Sequence, residues 1–199
     1  MLPEFALDLK TLYAALAILI GVGAFLPYLW DIFKLKTKPH AYTWFIWLIT
    51  QGTAVAGLWY GNGGLGAVAL TIGVFFVFVI FLFSLKYGTR NITKSDTGVL
   101  VLALLAILVW WQLDNPVLAV IMVSAIDVFG YLPSYRKSIV EPWSETLWSW
   151  SAFSVGNIFA VLALAEYNFL TITYLASITV ANLLLVAICL YYRRKIPKP

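Results

Sequence analysis

Asp127 stands in Ser124-Ala125-Ile126-Asp127-Val128, inside a stretch from Asn115 to Tyr135 that holds no other charged residue. An acid at the centre of an apolar helix costs about 2.5–3.5 kcal/mol to insert into lipid, so it must face protein or water. Low polarity disfavours a charged carboxylate, which makes Asp127 a candidate proton carrier. A polar staple to Ser124 or to a neighbouring helix is the equally open alternative. A second set of groups lies at four-residue spacing: Thr43, Trp47 and Gln51, and again Thr146, Trp150 and Ser154. Spacing of four puts each trio on one face of a helix. Flat aromatic surface with a few hydrogen-bonding groups is what a small-solute cleft requires. Trp47, Gln51, Trp150 and Ser154 are therefore candidate substrate contacts, with Asn157 and Asn182 beside them. Tryptophan near a helix end also serves as an interfacial anchor. Trp44, Trp143 and Trp148 are expected in that belt, while Trp47 and Trp150 fit either place. Asn157 and Asn182 equally suit bonding between helices.

Other chemistries find little support. One cysteine, Cys189, cannot make a disulfide within the chain, and one histidine, His40, cannot build a metal cluster or a nucleophile–base pair with a second histidine. No metal, no cofactor and no enzymatic activity are expected. A retinal protein needs a lysine in its last span, and Asn168–Tyr192 contains none.

The elements that must position these groups follow from composition. Of the 199 residues 62% are hydrophobic and 11% charged, against about 25% charged in soluble domains. A chain this short has too much surface to hide so many apolar side chains from water. It is expected to be an all-α membrane protein. Seven stretches come near the roughly 20 apolar residues a crossing needs: Thr11–Trp30, Ala41–Tyr60, Leu65–Leu85, Thr97–Leu113, Asn115–Tyr135, Thr146–Ala165 and Asn168–Tyr192. Glu4 and Asp8 precede the first run, no small-residue cleavage site follows it, and it is expected to be retained as a span. Twelve of the 13 basic residues fall in alternate loops or the tail, leaving Lys10 on the other side. Positive loops mark the cytoplasm, so the N-terminus is expected outside and the C-terminus inside, in a bacterial or archaeal plasma membrane. The +4 net charge reports this orientation, and no nucleic-acid partner is expected.

The chain also repeats itself. Phe25-Leu26-Pro27-Tyr28, basic residues, then Pro39, Thr43 and Trp47 are echoed by Tyr131-Leu132-Pro133-Ser134-Tyr135-Arg136-Lys137, then Pro142, Thr146 and Trp150. Pro27 and Pro133 are 106 apart, as are Asn62 and Asn168, while the intervening pairs align at 103. At the spacing of 106 Asp127 corresponds to Gly21 and Asn182 to Phe76. Three helices repeat, and one more must turn the chain over for both units to share an orientation. The expected domains are residues 11–86 as the first trio, 95–113 as a linker helix, 115–192 as the second trio and 193–199 as a basic cytoplasmic tail. Parallel repeats with a site between the halves are a transporter plan. Proline late in a helix kinks it, so Pro27 and Pro133 read as hinges, whereas Pro39 and Pro142 read first as helix starts. Gly21, Gly23, Gly52, Gly57, Gly73, Gly130 and Gly156 are expected to let helices approach closely.

The doubled Leu-Pro, basic loop and Trp pattern in a 3+1+3 layout resembles the SWEET and PQ-loop superfamily, from about Leu12 to Arg193. That resemblance implies a SWEET-like fold of two parallel three-helix bundles joined by an inversion helix. It implies a transporter working by alternating access. Pro27, Pro39, Pro133 and Pro142 match the proline tetrad of its sugar carriers, a hinge or gate, and Asn182 matches their substrate-contacting asparagine. The function expected is movement of a small polar solute (sugar, amino acid or nucleoside-like), with Asp127 as a proton-coupling residue. The alternative is a membrane receptor on the same scaffold. Expected partners are the solute and the lipid bilayer, with a homo-oligomer left open.

Overall fold

The computed structural model describes residues 2–35, 39, 41–88, 94–131, 135, 138–140, 142–144 and 147–198. Among them are seven α-helices of at least 15 residues: α1 Leu2–Phe33, α2 Ala41–Tyr60, α3 Leu65–Tyr87, α4 Lys94–Leu113, α5 Pro116–Gly130, α6 Leu147–Leu162 and α7 Phe169–Arg193. A single 3-10 turn, Pro142–Ser144, precedes α6, and the described residues contain no strand.

Local chemistry sets several ends. Asn115 caps α5 by accepting from the Leu118 amide, and Pro116 takes the first helical position, where its missing N–H costs nothing. Asn168 and Thr171 form a reciprocal capping box at the start of α7. Gly64 opens α3 with φ +57°, a conformation that disfavours other residues.

Among the described residues three helices are long and apolar enough to cross a membrane: Leu9–Trp30 within α1, α3 and α7. The apolar segments of α4 (Thr97–Val109), α5 and α6 are shorter. The 15 residues of α5 rise only about 22 Å, because the helix ends at Gly130 ahead of Pro133. α2 has the length, but Thr43, Thr50, Gln51 and Thr53 dilute its apolar character. Large apolar side chains face outward along α1, α3, α4 and α7, among them Leu19, Phe75, Leu105 and Val180. Such a surface suits lipid, and this is a helical protein with membrane-spanning elements.

The packing follows a repeated rule. α3 lies against both α1 and α2, and α7 against both α5 and α6. Between these groups α1 packs on α6 as α5 packs on α2, and α2 meets α7 as α6 meets α3. α4 rests on α5 and α2. One core draws on every helix, through Ala17, Leu58, Leu70, Ala106, Val123, Ala160 and Leu175. A smaller one, Ile32, Trp44, Val77 and Ile80, belongs to α1–α3.

At one end the α2–α3 and α6–α7 connections join. The Ala165 amide donates to the Gly63 carbonyl (3.0 Å), and Asn168 Nδ2 donates to the Gly61 carbonyl (2.7 Å). Lys10 reaches the Ala165 carbonyl at this end (3.2 Å). At the other end the tail folds back. Trp143 Nε1 donates to Ile196, Arg193 Nε to Pro142, and the Arg193 guanidinium lies 4.5 Å from the Trp143 ring centroid.

The glycine expectation needs correction. A Cβ on Gly21, Gly23, Gly52 or Gly73 would meet nothing within 4 Å, and one on Gly130 only the Trp47 indole nitrogen at 3.8 Å. Close approach falls at Gly57, 2.4 Å from Val120, and in milder form at Gly156 against α1. Close approach also clusters at Gly61, Gly63, Gly64 and Gly66 around the joined connections. A helical glycine with open space beside it needs no small side chain for packing, whereas a backbone-to-backbone junction excludes any side chain.

Candidate functional site

α5, α7 and α2 converge on Asp127, which is 3% exposed and the one buried charged residue among those described. The Tyr174 hydroxyl on α7 donates to Asp127 Oδ2. Thr50 of α2 stands beside the same carboxyl group, but its hydroxyl donates to the carbonyls of Ile46 (3.2 Å) and Trp47 (3.3 Å). Asp127 Oδ1 is buried without a hydrogen-bond partner. The Ser124 hydroxyl bonds Val120 of its own helix, so of the two staple partners open to Asp127 it is the neighbouring helix, through Tyr174, that bonds it.

One turn further on, at the end of α5, Tyr131 donates to Asn182 Oδ1 of α7 at 2.8 Å. Its ring lies 5.7 Å from that of Trp150 on α6 and 5.9 Å from Tyr135. Trp47 approaches from α2, with its indole nitrogen 3.8 Å from where a Gly130 Cβ would sit. Thus α2, α5, α6 and α7 bring a carboxyl, a threonine, two tyrosines, an asparagine and two tryptophans to one region.

Of the residues expected from sequence, Trp47, Trp150, Asp127 and Asn182 belong to this cluster. Asn182, 3% exposed, is engaged by Tyr131 rather than open. Ser154 is buried and commits its proton to the Trp150 carbonyl (2.9 Å), leaving only its lone pairs for a ligand. Gln51, Asn157 and Thr43 are half-buried. Trp44 is not an interfacial anchor: it is 8% exposed, its ring 5.3 Å from Tyr28 and 5.2 Å from Trp47. Trp148, at 71%, does face outward. Trp143 is partly covered by the tail.

Pro27 lies inside α1, which continues to Phe33. Pro39 is buried two residues before α2. Pro142 opens the 3-10 turn Pro142–Ser144 rather than an α-helical segment, and α6 is described from Leu147. Pro133 and Thr146 lie outside the described residues.

The structure adds Tyr174, Tyr131 and Thr50, which composition and spacing did not single out. Tyr131 carried a signal, four residues from Asp127 and therefore on its face. Tyr174 carried none, since only folding brings a residue 47 positions away to the carboxyl. At the repeat spacing of 106, Tyr131 and Asn182 correspond to Phe25 and Phe76, whose rings stack 5.3 Å apart at 7°. The same pair of positions is thus a hydrogen bond in one half and an aromatic stack in the other. Asp127 and Tyr174 likewise correspond to Gly21 and Val68. Among the described residues no cluster of His, Cys, Asp and Glu could hold a metal ion.

Comparison of the chain with protein-family models, curated proteins and solved structures gave no match.

Proposed function

We propose that the chain is a membrane transporter that moves a small polar solute by alternating access between two three-helix bundles, α1–α3 and α5–α7, with α4 as the linker. Seven crossings, an outside N-terminus and a cytoplasmic C-terminus belong to this reading. The observation that carries it is the paired packing rule: among the described residues the main contacts between bundles, α1 with α6 and α2 with α7, have counterparts under exchange of the two halves, α5 with α2 and α6 with α3. The junction of the α2–α3 and α6–α7 connections at one end supports units of the same orientation, since inverted units would place these connections at opposite ends. Such a pair of bundles can rock about their shared seam. A polar cluster on that seam is where a solute would be held, and Asp127 lies there between Tyr174 and Thr50.

Asp127 also supplies a coupling device. An acid buried in apolar surroundings is stable when protonated or paired, so each protonation state favours a different arrangement around it. Uptake by the purified chain in liposomes, across sugars, amino acids and nucleosides, tests the reading. Saturable, counterflow-stimulated uptake of one class is expected, steepened by an imposed pH gradient. Saturable binding without flux would make the protein a receptor, and neither binding nor flux would remove the function.

A further inference from the structure

Asp127 Oδ1 is a buried acceptor without a hydrogen-bond partner, while Oδ2 takes the Tyr174 proton. The groups that could answer it are few. α7 presents Tyr174 and the end of α5 presents Tyr131, while α2 presents Thr50 and Trp47, and none of these carries a positive charge. α4 carries its charges, Lys94 and Asp96, only in its first turn. No lysine or arginine is buried among the described residues. A carboxylate there needs either a proton on Oδ1 or a cation brought from outside.

The surroundings decide which cation. Metal ions such as calcium ask for six to eight oxygen ligands, and the region offers one carboxylate, with the Thr50, Tyr174, Tyr131 and Asn182 oxygens engaged in hydrogen bonds of their own. Rings favour diffuse organic cations, held over their faces within about 6 Å. Tyr131 and Trp150 form a tilted pair one turn from the carboxylate, and Trp47 approaches Gly130 beside them. The first half offers no equivalent, because Gly21 and Val68 replace the acid and its tyrosine.

We propose that Asp127 is a shared seat for a proton and for the positive nitrogen of a small organic cation, so that the protein exchanges one for the other. This rests on the transporter reading and deepens it by naming the substrate class and the mode of coupling. In the exchange the neutral carboxylic acid releases its Oδ1 proton to one aqueous side and the resulting carboxylate pairs with one monovalent cation. The cation leaves on the other side as a proton returns, so each cycle moves one positive charge each way and is electroneutral. Tyr174 keeps its bond to Oδ2 in both states and positions the carboxyl, while Tyr131, Trp150 and Trp47 face the cation's apolar body.

The test uses the full chain in liposomes, acidic inside and holding a trapped pH dye. The probes are permanently charged cations that cannot cross as neutral bases: tetramethylammonium, choline, phenyltrimethylammonium and N-methylnicotinamide. Controls are sodium and 3,3-dimethylbutan-1-ol, a neutral isostere of choline. At least one organic cation is expected to alkalinise the lumen, saturably and independently of membrane potential, while the isostere and sodium stay silent. Asp127→Asn should reduce the response to that of protein-free vesicles, and Asp127→Glu should retain part of it. Trp150→Ala should raise the half-saturating concentration about five-fold or more, the size of one cation–π contact. Silence of every cation, a full response in Asp127→Asn, or an equal response to the neutral isostere would each overturn the exchange. Labelled sugars, amino acids and nucleosides run in the same vesicles separate the two failures. Their uptake without any cation response leaves a transporter but not this exchange, and no flux of any kind removes both.

Discussion

Asp127 and Tyr174 are both buried, and the tyrosine hydroxyl satisfies one of the two carboxyl oxygens. Tyr174→Phe keeps the ring, which is fully buried in the main core, but leaves both carboxyl oxygens without a hydroxyl donor. A buried polar group stripped of its partner costs about 1–3 kcal/mol. The variant should unfold at lower temperature in detergent, and combining it with Asp127→Leu should recover part of the loss, since the double variant leaves no orphaned acid. A double-mutant cycle by thermal unfolding measures this, and strict additivity would show the two side chains to be uncoupled. That Asp127 would be enclosed by protein was legible from its type and position, because an acid between Ile126 and Val128 has no inexpensive place in lipid. Its partner was not legible, because hydrogen bonding between helices leaves no trace in local spacing.

Helices in lipid gain little from hydrophobic contact with one another, so fit between backbones decides their arrangement. Gly66 shows the consequence: a Cβ there would sit 2.5 Å from the Ala160 carbonyl oxygen and 2.8 Å from Leu164. Gly66→Ala should therefore destabilise the fold by about 1–3 kcal/mol, the usual cost of overpacking. Gly73→Ala, where nothing lies within 4 Å, should be neutral or stabilising by up to about 1 kcal/mol through helix propensity. Thermal unfolding of the two variants side by side checks the contrast, and equal shifts would show that the junction is not tight. Asn168→Ala removes both the α7 cap and the donor to Gly61. It should cost about 1–2 kcal/mol, more than a cap lost at an isolated helix end. Seven glycines looked equivalent in the sequence; only the contacts between helices separate Gly57 and Gly156 from those in open space.

The whole molecule is ordered by charge and by repetition. With twelve of 13 basic residues in alternate connections and the tail, a reporter fused to the C-terminus should read as cytoplasmic. Replacing Arg193, Arg194, Lys195 and Lys198 with glutamine should weaken that preference, measured by a fluorescence or phosphatase reporter in cells, and an unchanged strict orientation would mean that the earlier loops suffice. The internal repeat was visible as matched spacings around Pro27 and Pro133, and the packing of α1–α3 and α5–α7 follows the same exchange rule. The chemistry does not share that symmetry, because Asp127, Tyr174, Tyr131 and Asn182 correspond to Gly21, Val68, Phe25 and Phe76.

By itself the sequence determined the solvent of this protein, its helical class, its doubled plan and the depth of one acid, since each follows from the amount and periodicity of apolar residues. Tertiary structure alone decided what that acid touches, which tryptophans are buried and where backbones meet. Those outcomes depend on residues tens of positions apart being brought together, and the packing of one helix face against another is not encoded in any local stretch of chain.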